Sequence, residues 1–423
     1  MEQTEGRFEP GAMPTKLWNR DFSLVVFGQV ISIFGNMVLS FALPLYILSI
    51  SESPALFGLV LGLPYISLLV MSPIGGIMAD RLKKQRIMFW LDLTTTVIIV
   101  LYMATRGLFA SAVPIVIIKL MALNAIQGMY MPAVQASVPA LVPSDKLIPA
   151  NSAVTIVNML ANMAAPAVAG ILFGNFGLTP VLLISAVCFG ITAVMDLLIR
   201  IPFKKQSSPG SIAQMVIGDL SLSFRFIVKE KPILAKSAGV MFFVSLSLTS
   251  LLFVGLPVLI TQHLGMSMTM VGVNQSAMMV GGLLGGIIAG ALGTRLVMRK
   301  IYLPLLAVSL FLLPMGLVFA FDAPTLVAYV TITAMGALIF VAAQICSIPM
   351  FAFIQKETPT ELIGKVMSIM LILPFLANAL GILLFGMLFE RFAELPWIIV
   401  FVVVLVSAVI AIYTRSQFLN KQT

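Results

Sequence analysis

The sequence predicts an all-α, polytopic membrane protein: twelve transmembrane helices in two pseudo-symmetric six-helix bundles. Three observations carry this. Of 423 residues, 60% are hydrophobic and only 10% charged, against roughly 25% charged in soluble domains. The apolar residues come in blocks of about twenty or more, long enough to cross a hydrocarbon core of about 30 Å, where an unpaired backbone forces a helix. Finally, two short patterns from the first half return at equivalent places in the second.

Charge gaps, glycines and prolines delimit the first six spans at about 22–50, 54–79, 87–105, 111–141, 148–174 and 179–201. The other six fall at about 233–261, 268–293, 300–321, 325–354, 363–389 and 395–414. Pro132, Pro139 and Pro349 are expected to bend or end the long fourth and tenth spans. Residues 1–201 form the first bundle and 233–423 the second. Between them, 202–232 reads as a cytoplasmic linker, with a flexible start at Pro202–Gly210 and then a short amphipathic helix at the membrane surface.

An even number of spans puts both termini on one side. That side holds 22 of the 25 lysines and arginines; Arg106 and Arg391 lie opposite and Lys119 lies within a span. By the positive-inside rule both termini are cytoplasmic, in a multi-pass protein of the cell membrane. The net charge of +9 is thus a topology signal, and nucleic acid is not an expected partner. Cys188 and Cys346 sit inside apolar blocks and read as free thiols, with no disulfide framework and no metal site. The polar, acidic start MEQTEGRFEP is unlike a cleavable signal peptide, so insertion is expected to rely on the first span.

The recurring patterns are Gly75-Gly76-Ile77-Met78-Ala79-Asp80 against Gly285-Gly286-Ile287-Ile288-Ala289-Gly290, and Val142–Leu147 against Thr358–Ile363. Their offsets are 210 and 216 residues, and both fall at matching helices of a 6+6 plan. Repeats of this kind build two bundles around a central site and permit alternating access.

The stretch GGIMADRLKKQR, Gly75 to Arg86, resembles the signature of the major facilitator superfamily between spans two and three. Finer features resemble its macrolide-efflux-like branch of drug exporters. They are Trp18-Asn19-Arg20-Asp21-Phe22 before span one, Met131-Pro132-Ala133 in span four, and Thr358–Val366 before span eleven. Physically, Gly75 and Gly76 allow a close helix contact, and Asp80 can face the positive N-terminus of another helix. The resemblance implies that this partner is the start of span eleven, near Gly364, in a contact that holds the outward-facing state. Asp80, Arg81, Gly76 and Gly364 are therefore candidate gating residues, and the bases at 81–86 also anchor the loop to anionic lipid.

Only Asp92 and Asp196 among the 16 acidic residues lie clearly inside spans. Asp196 precedes Arg200 by four residues and suits a helical ion pair. Asp92 either pairs with Arg86 or Lys84, or serves as a proton site, since an ionisable residue within a span is functional by default. The resemblance implies a buried arginine in span four, but the aligned position, Leu123, is apolar. Lys119, one turn away, either replaces it or snorkels outward. Where relatives often carry an acid in span one, this chain has Gly35-Asn36. Asp92 and Lys119 are the proton-coupling candidates, and both departures weaken a standard proton antiport.

The core polarity is otherwise neutral. Asn151, Thr155, Asn158 and Asn162 form a stripe along span five, and Gln29 and Asn36 share a face of span one. Asn124, Gln127, Asn274, Gln275, Gln344 and Asn378 add further amides. Amides buried in lipid face other helices or a wet cavity, so these serve either as interhelical glue or as a cargo site. The substrate-cavity candidates are Gln29, Asn36, Asn124, Gln127, Asn158, Asn162, Asn274, Gln344 and Asn378. With 27 methionines and 29 phenylalanines, they suit an adaptable apolar pocket for a bulky amphipathic small molecule.

No G-x-x-x-x-G-K-[ST] stretch supports an ATP-driven pump, and one histidine, His263, excludes an H-E-x-x-H protease. Ile217-Gly218-Asp219 is too short for an aspartyl site and lies outside the spans. No enzyme activity, catalytic residue or cofactor is expected. The resemblance implies a monomeric secondary transporter that exports a hydrophobic or amphipathic compound, of macrolide or multidrug type, coupled to protons. A transporter or flippase of a lipid-like or siderophore-like compound is the alternative, and a non-transporting receptor is a third class.

Overall fold

In a computed structural model of the chain, residues 18–106, 113–143, 146–201, 225–293, 300–359 and 362–419 are described, without the side chains of Asp80, Ile148, Ser152, Phe418 and Leu419 or the surroundings of Gly364. Most of the linker, 202–224, therefore lies outside the described residues. Twelve helices among them are long and apolar enough to span a membrane. They are α1 (Arg20–Ser51), α2 (Pro54–Arg81), α3 (Lys84–Thr105), α4 (Val113–Leu141), α5 (Leu147–Phe176) and α6 (Leu178–Leu198). The second bundle holds α7 (Pro232–His263), α8 (Met268–Leu292), α9 (Tyr302–Ala320), α10 (Thr325–Glu357), α11 (Ile363–Arg391) and α12 (Pro396–Leu419).

The helix ends follow local chemistry. Asn19 caps α1, its side-chain oxygen accepting from the Phe22 N–H at 2.9 Å. Ser53 caps α2, with Pro54 at its first position, where no N–H is needed. Gly177, at φ 75°, turns the chain between α5 and α6. Of the two alternatives for Pro132, Pro139 and Pro349, ending the helix is removed: α4 and α10 run through them. In lipid, neighbouring helices satisfy the carbonyls that proline frees.

Helix α7 departs from regular α geometry. Its Ser245–Thr249, Leu251–Gly255 and Leu259–His263 segments are π-helical. The Ser250 hydroxyl bonds back to the Ser245 carbonyl at 3.3 Å. Such π turns shift side chains around the helix and recur at functional sites.

Most helix packing stays within the first six or the last six helices; α2 with α11 and α5 with α8 make the main bridges between them. The apolar core is shared by the bundles at one end and divided between them at the other. One continuous cluster draws on both bundles, joining Val38–Leu48 of α1, Ala165 and Ala169 of α5, Leu251–Ile260 of α7 and Ile382–Phe389 of α11. It lies at the end carrying the α1–α2 connection. At the end carrying the termini the core splits into two separate clusters. One is centred on Phe22, Met88 and Val138, the other on Leu234, Ile354 and Met370. Among the described residues the molecule is thus closed at the first end and parted at the second.

Candidate functional site

The closed end is sealed by glycine crossings. A Cβ on Gly58 of α2 would lie 2.7 Å from the Ile382 carbonyl of α11, and one on Gly386 lies 2.7 Å from the Pro54 carbonyl. On the other side, a Cβ on Gly170 of α5 would lie 2.9 Å from the Cα of Gly272 on α8. Backbones this close require residues without side chains. Polar contacts reinforce the seal. The Ser53 hydroxyl donates to Glu390 Oε2 of α11, and the Ala55 N–H donates to the same oxygen at 3.0 Å. Glu390 thereby caps the N-terminus of α2, where the helix dipole favours an anion. Gln262 Nε2 donates to the Glu52 carbonyl at 2.9 Å, again across the bundles.

At the open end, Gly75 packs against Met129 and Gly128 of α4, but Gly76 would meet nothing within 4 Å. The second half repeats this: Gly285 packs on Val341 of α10, while Gly286 faces open space. Only one glycine of each pair makes the close contact expected from sequence. The Asp80 side chain and the surroundings of Gly364 lie outside the described residues. Arg81 is exposed and lines a recess of about 370 Å³ with Arg86 and Trp90.

Beside the π turns of α7 lies a cavity of about 280 Å³ reaching α9, α10 and α11. Its walls carry Met241, Val244, Phe253, Phe340 and Met350, with Ser245, Thr249, Gln344 and Ser347 as the polar groups. Phe253 and Phe340 meet edge to face with centroids 6.3 Å apart. The Ser347 hydroxyl donates to Gln344 Oε1 at 3.0 Å, leaving the Gln344 amide nitrogen without a hydrogen-bond partner among the described residues. An apolar lining with a few orienting polar groups is the usual form of a small-molecule site.

The remaining candidates scatter. On α5, Asn158 and Asn162 donate to the Val154 and Asn158 carbonyls of their own helix, so they do not act as glue to another helix among the described residues. Asn124 likewise bonds to Leu120 of its own helix, and Asn36 and Gln127 are half-buried. Asn274 is fully buried and donates to Thr333 Oγ1 of α10 at 3.1 Å, a packing role. Asn378 receives the Ser250 hydroxyl on its carbonyl and faces Tyr65 of α2. Gln29 lies inside the first bundle, not on the parted face.

Of three charged groups in the spans, Asp196 departs from expectation, while Asp92 and Lys119 each lose one of two alternatives. Asp196 makes no ion pair with Arg200; α6 ends at Leu198, and the Arg200 N–H donates to Asp21 Oδ1 at 3.0 Å instead. Asp92 pairs with neither Arg86 nor Lys84, being 2% exposed with one oxygen unpartnered. Lys119 does not snorkel: it is 4% exposed, with Nζ 4.1 Å from the Tyr102 ring centroid and no hydrogen-bond partner. Sequence reasoning overlooked Glu390. Its signal was an acid in the last turn of a helix, which the dipole of its own helix disfavours.

Comparison with known proteins agrees with this architecture. The sequence model of the Major Facilitator Superfamily matches residues 25–382. Macrolide efflux protein A of Streptococcus pyogenes is 22% identical over 396 residues, covering 90% of this chain and 92% of that protein. The MFS-type transporter y4rN of Sinorhizobium fredii is 26% identical over 357 residues, 82% of this chain and 83% of its own. A crystal structure of a bacterial homologue of the iron transporter ferroportin, in its inward-facing state, superposes with a TM-score of 0.69. The two are 17% identical, over 94% of this chain and 99% of that one, so this likeness concerns the fold alone. With the family matched across most of its length and twelve spanning helices in two bundles, the chain belongs to the major facilitator superfamily of membrane transporters.

Proposed function

We propose that this transporter exports a hydrophobic or amphipathic compound of macrolide or multidrug type across the cell membrane, by alternating access coupled to protons. The observation that carries this reading is the cavity beside α7, whose methionine and phenylalanine walls and sparse polar groups suit the apolar part of an amphipathic molecule. The similarity to a macrolide efflux protein supports the same cargo class. Both termini face the cytoplasm, so the parted end receives cargo from inside. Residues 1–201 and 233–423 move as two bodies in a monomer, joined by the 202–232 linker among membrane lipids.

In the opposite state the open end must close. Asp80, followed by Arg81, then meets the start of α11 near Gly364, and Gly76 comes into contact. Asp80→Asn is expected to insert normally while lowering export, and a wild-type export rate in that variant would remove the latch.

The test is equilibrium binding of a macrolide and of a cationic dye to the purified protein. Phe253→Ala and Gln344→Ala should each weaken binding about tenfold, since truncating a residue central to a site costs on the order of 1–2 kcal/mol. Wild-type affinity in both variants would move the cargo site elsewhere. Binding of a lipid-like or siderophore-like compound, with neither drug bound, would replace the cargo class.

A further inference from the structure

Inside the first bundle, apart from the α7 cavity, helices α1, α3, α4 and α6 enclose a polar cluster. Asp92 on α3 and Asp196 on α6 are each 2% exposed, and in each Oδ2 has no hydrogen-bond partner among the described residues. The Thr192 and Ser32 hydroxyls face Asp92, and Asp196 lies within its electrostatic reach. From α4, the Tyr130 hydroxyl faces Gln29 and Ser32 in the field of both carboxylates. Gln29 is 1% exposed, and beyond that Tyr130 hydroxyl its amide has no partner among the described residues.

Among the described residues no cation accompanies these groups. The titratable side chains facing the cluster from its four helices are Asp92, Asp196 and Tyr130. The bases next to it in sequence, Arg86 and Arg200, are exposed, and neither carboxylate forms an ion pair among the described residues. Two ionised carboxylates cannot occupy an apolar interior without a counter-charge. A proton is the smallest species that supplies one.

We infer that Asp92 and Asp196 form a proton-binding site within the first bundle, which couples transport to the proton gradient from a position off the cargo cavity. This deepens the reading of the chain as a proton-coupled exporter and rests on it. Loading transfers one proton from water to a carboxylate oxygen, turning a carboxylate into a carboxyl group. Release returns that proton to water on the other side, and no other bond changes. Access lies at the open-end rim, one turn from Asp196. There the Arg200 N–H to Asp21 bond and the 2.7 Å bond from Asn19 Nδ2 to the Leu141 carbonyl tie α1 to the chain after α6 and to α4. Loosening these ties admits water to the pair. The consequence reaches the other bundle by packing, since α1 contacts α6 and α5, and α5 carries the crossing with α8.

The experiment uses the full chain reconstituted in lipid vesicles and has two arms. The first needs no cargo: infrared difference spectra across a pH series report the carbonyl stretch of protonated carboxyl groups. Wild-type protein should show a buried carboxyl band that vanishes at alkaline pH, and Asp92→Asn/Asp196→Asn should lack it. A band that persists in the double variant, or its absence from the wild type at every pH, overturns the site. The second arm compares gradient-driven accumulation of a cationic dye with gradient-free exchange of the same dye. Each single variant should lose accumulation at least ~10-fold more than exchange, a size within ordinary coupling free energies. Equal losses would make the pair structural. Absence of dye transport in the wild type, with the band present, would leave the proton site standing and overturn the cargo reading alone.

Discussion

At the scale of single residues, the buried charges separate what spacing can reveal from what it cannot. An i,i+4 pair between Asp196 and Arg200 needs a helix through both, yet α6 stops at Leu198 and Ile199 is extended at ψ 137°. Arg200 is thereby carried out to Asp21. Arg86 and Asp92 are six residues apart, which places them on different faces of α3 at 3.6 residues per turn. Sequence identified Asp92, Asp196 and Lys119 as unusual; only the packing brings the two acids together and leaves Lys119 on Tyr102. That ring contact offsets part of the cost of burying an ammonium, by about 2 kcal/mol in a desolvated site. Lys119→Met should keep the packing and remove the desolvation cost, raising the thermal unfolding midpoint of the purified protein. A lower midpoint would mean that the charge holds the closed end together.

At the scale of elements, the antiparallel pair α2 and α11 makes one of the main bridges between the bundles. At the closed end, the last turn of α11 supplies Glu390 to the first turn of α2. The proposed latch at the other end is its converse, with Asp80 of α2 at the first turn of α11. In the proposed cycle the two contacts alternate, because the bundles cannot meet at both ends at once. Glu390→Gln removes the charge but keeps an acceptor, and the site is exposed, so the loss is up to ~1 kcal/mol. Spin labels across the closed end should then report a larger separated population, and an unchanged distance distribution would show that the glycine crossings alone hold it. Gly386→Val presses side-chain atoms on the Pro54 carbonyl. Overpacking costs roughly 1–3 kcal/mol, so the closed population should fall about tenfold by the same measurement. The repeated glycine pairs were legible in sequence, but which member makes the contact was not. Gly75 and Gly285 pack while Gly76 and Gly286 do not, because adjacent helical residues point about 100° apart. The π turns of α7 left no trace in the sequence, because Ser245, Ser247, Thr249 and Ser250 are compatible with α and π turns alike.

At the scale of the whole molecule, twelve spans and the 6+6 plan were readable because lipid imposes long apolar helices and charge gaps between them. The conformational state was not readable. It rests on contacts between distant segments, such as Ala165 and Val271, which share one core at the closed end. The open end instead carries two cores, around Phe22 and Met370. With the native cysteines replaced, a cysteine at exposed Thr155 of α5 should react with a membrane-impermeant maleimide from the cytoplasmic side. One at fully buried Val254 should stay unlabelled. The reverse pattern would invert the assigned state. Gradient-driven export of an amphipathic compound is tested by uptake of a macrolide and a cationic dye into inside-out vesicles, with and without a protonophore. Uptake abolished by the protonophore is the predicted result. Uptake unaffected by it would contradict the proton coupling, and no uptake of either compound by folded protein would contradict the drug-export claim.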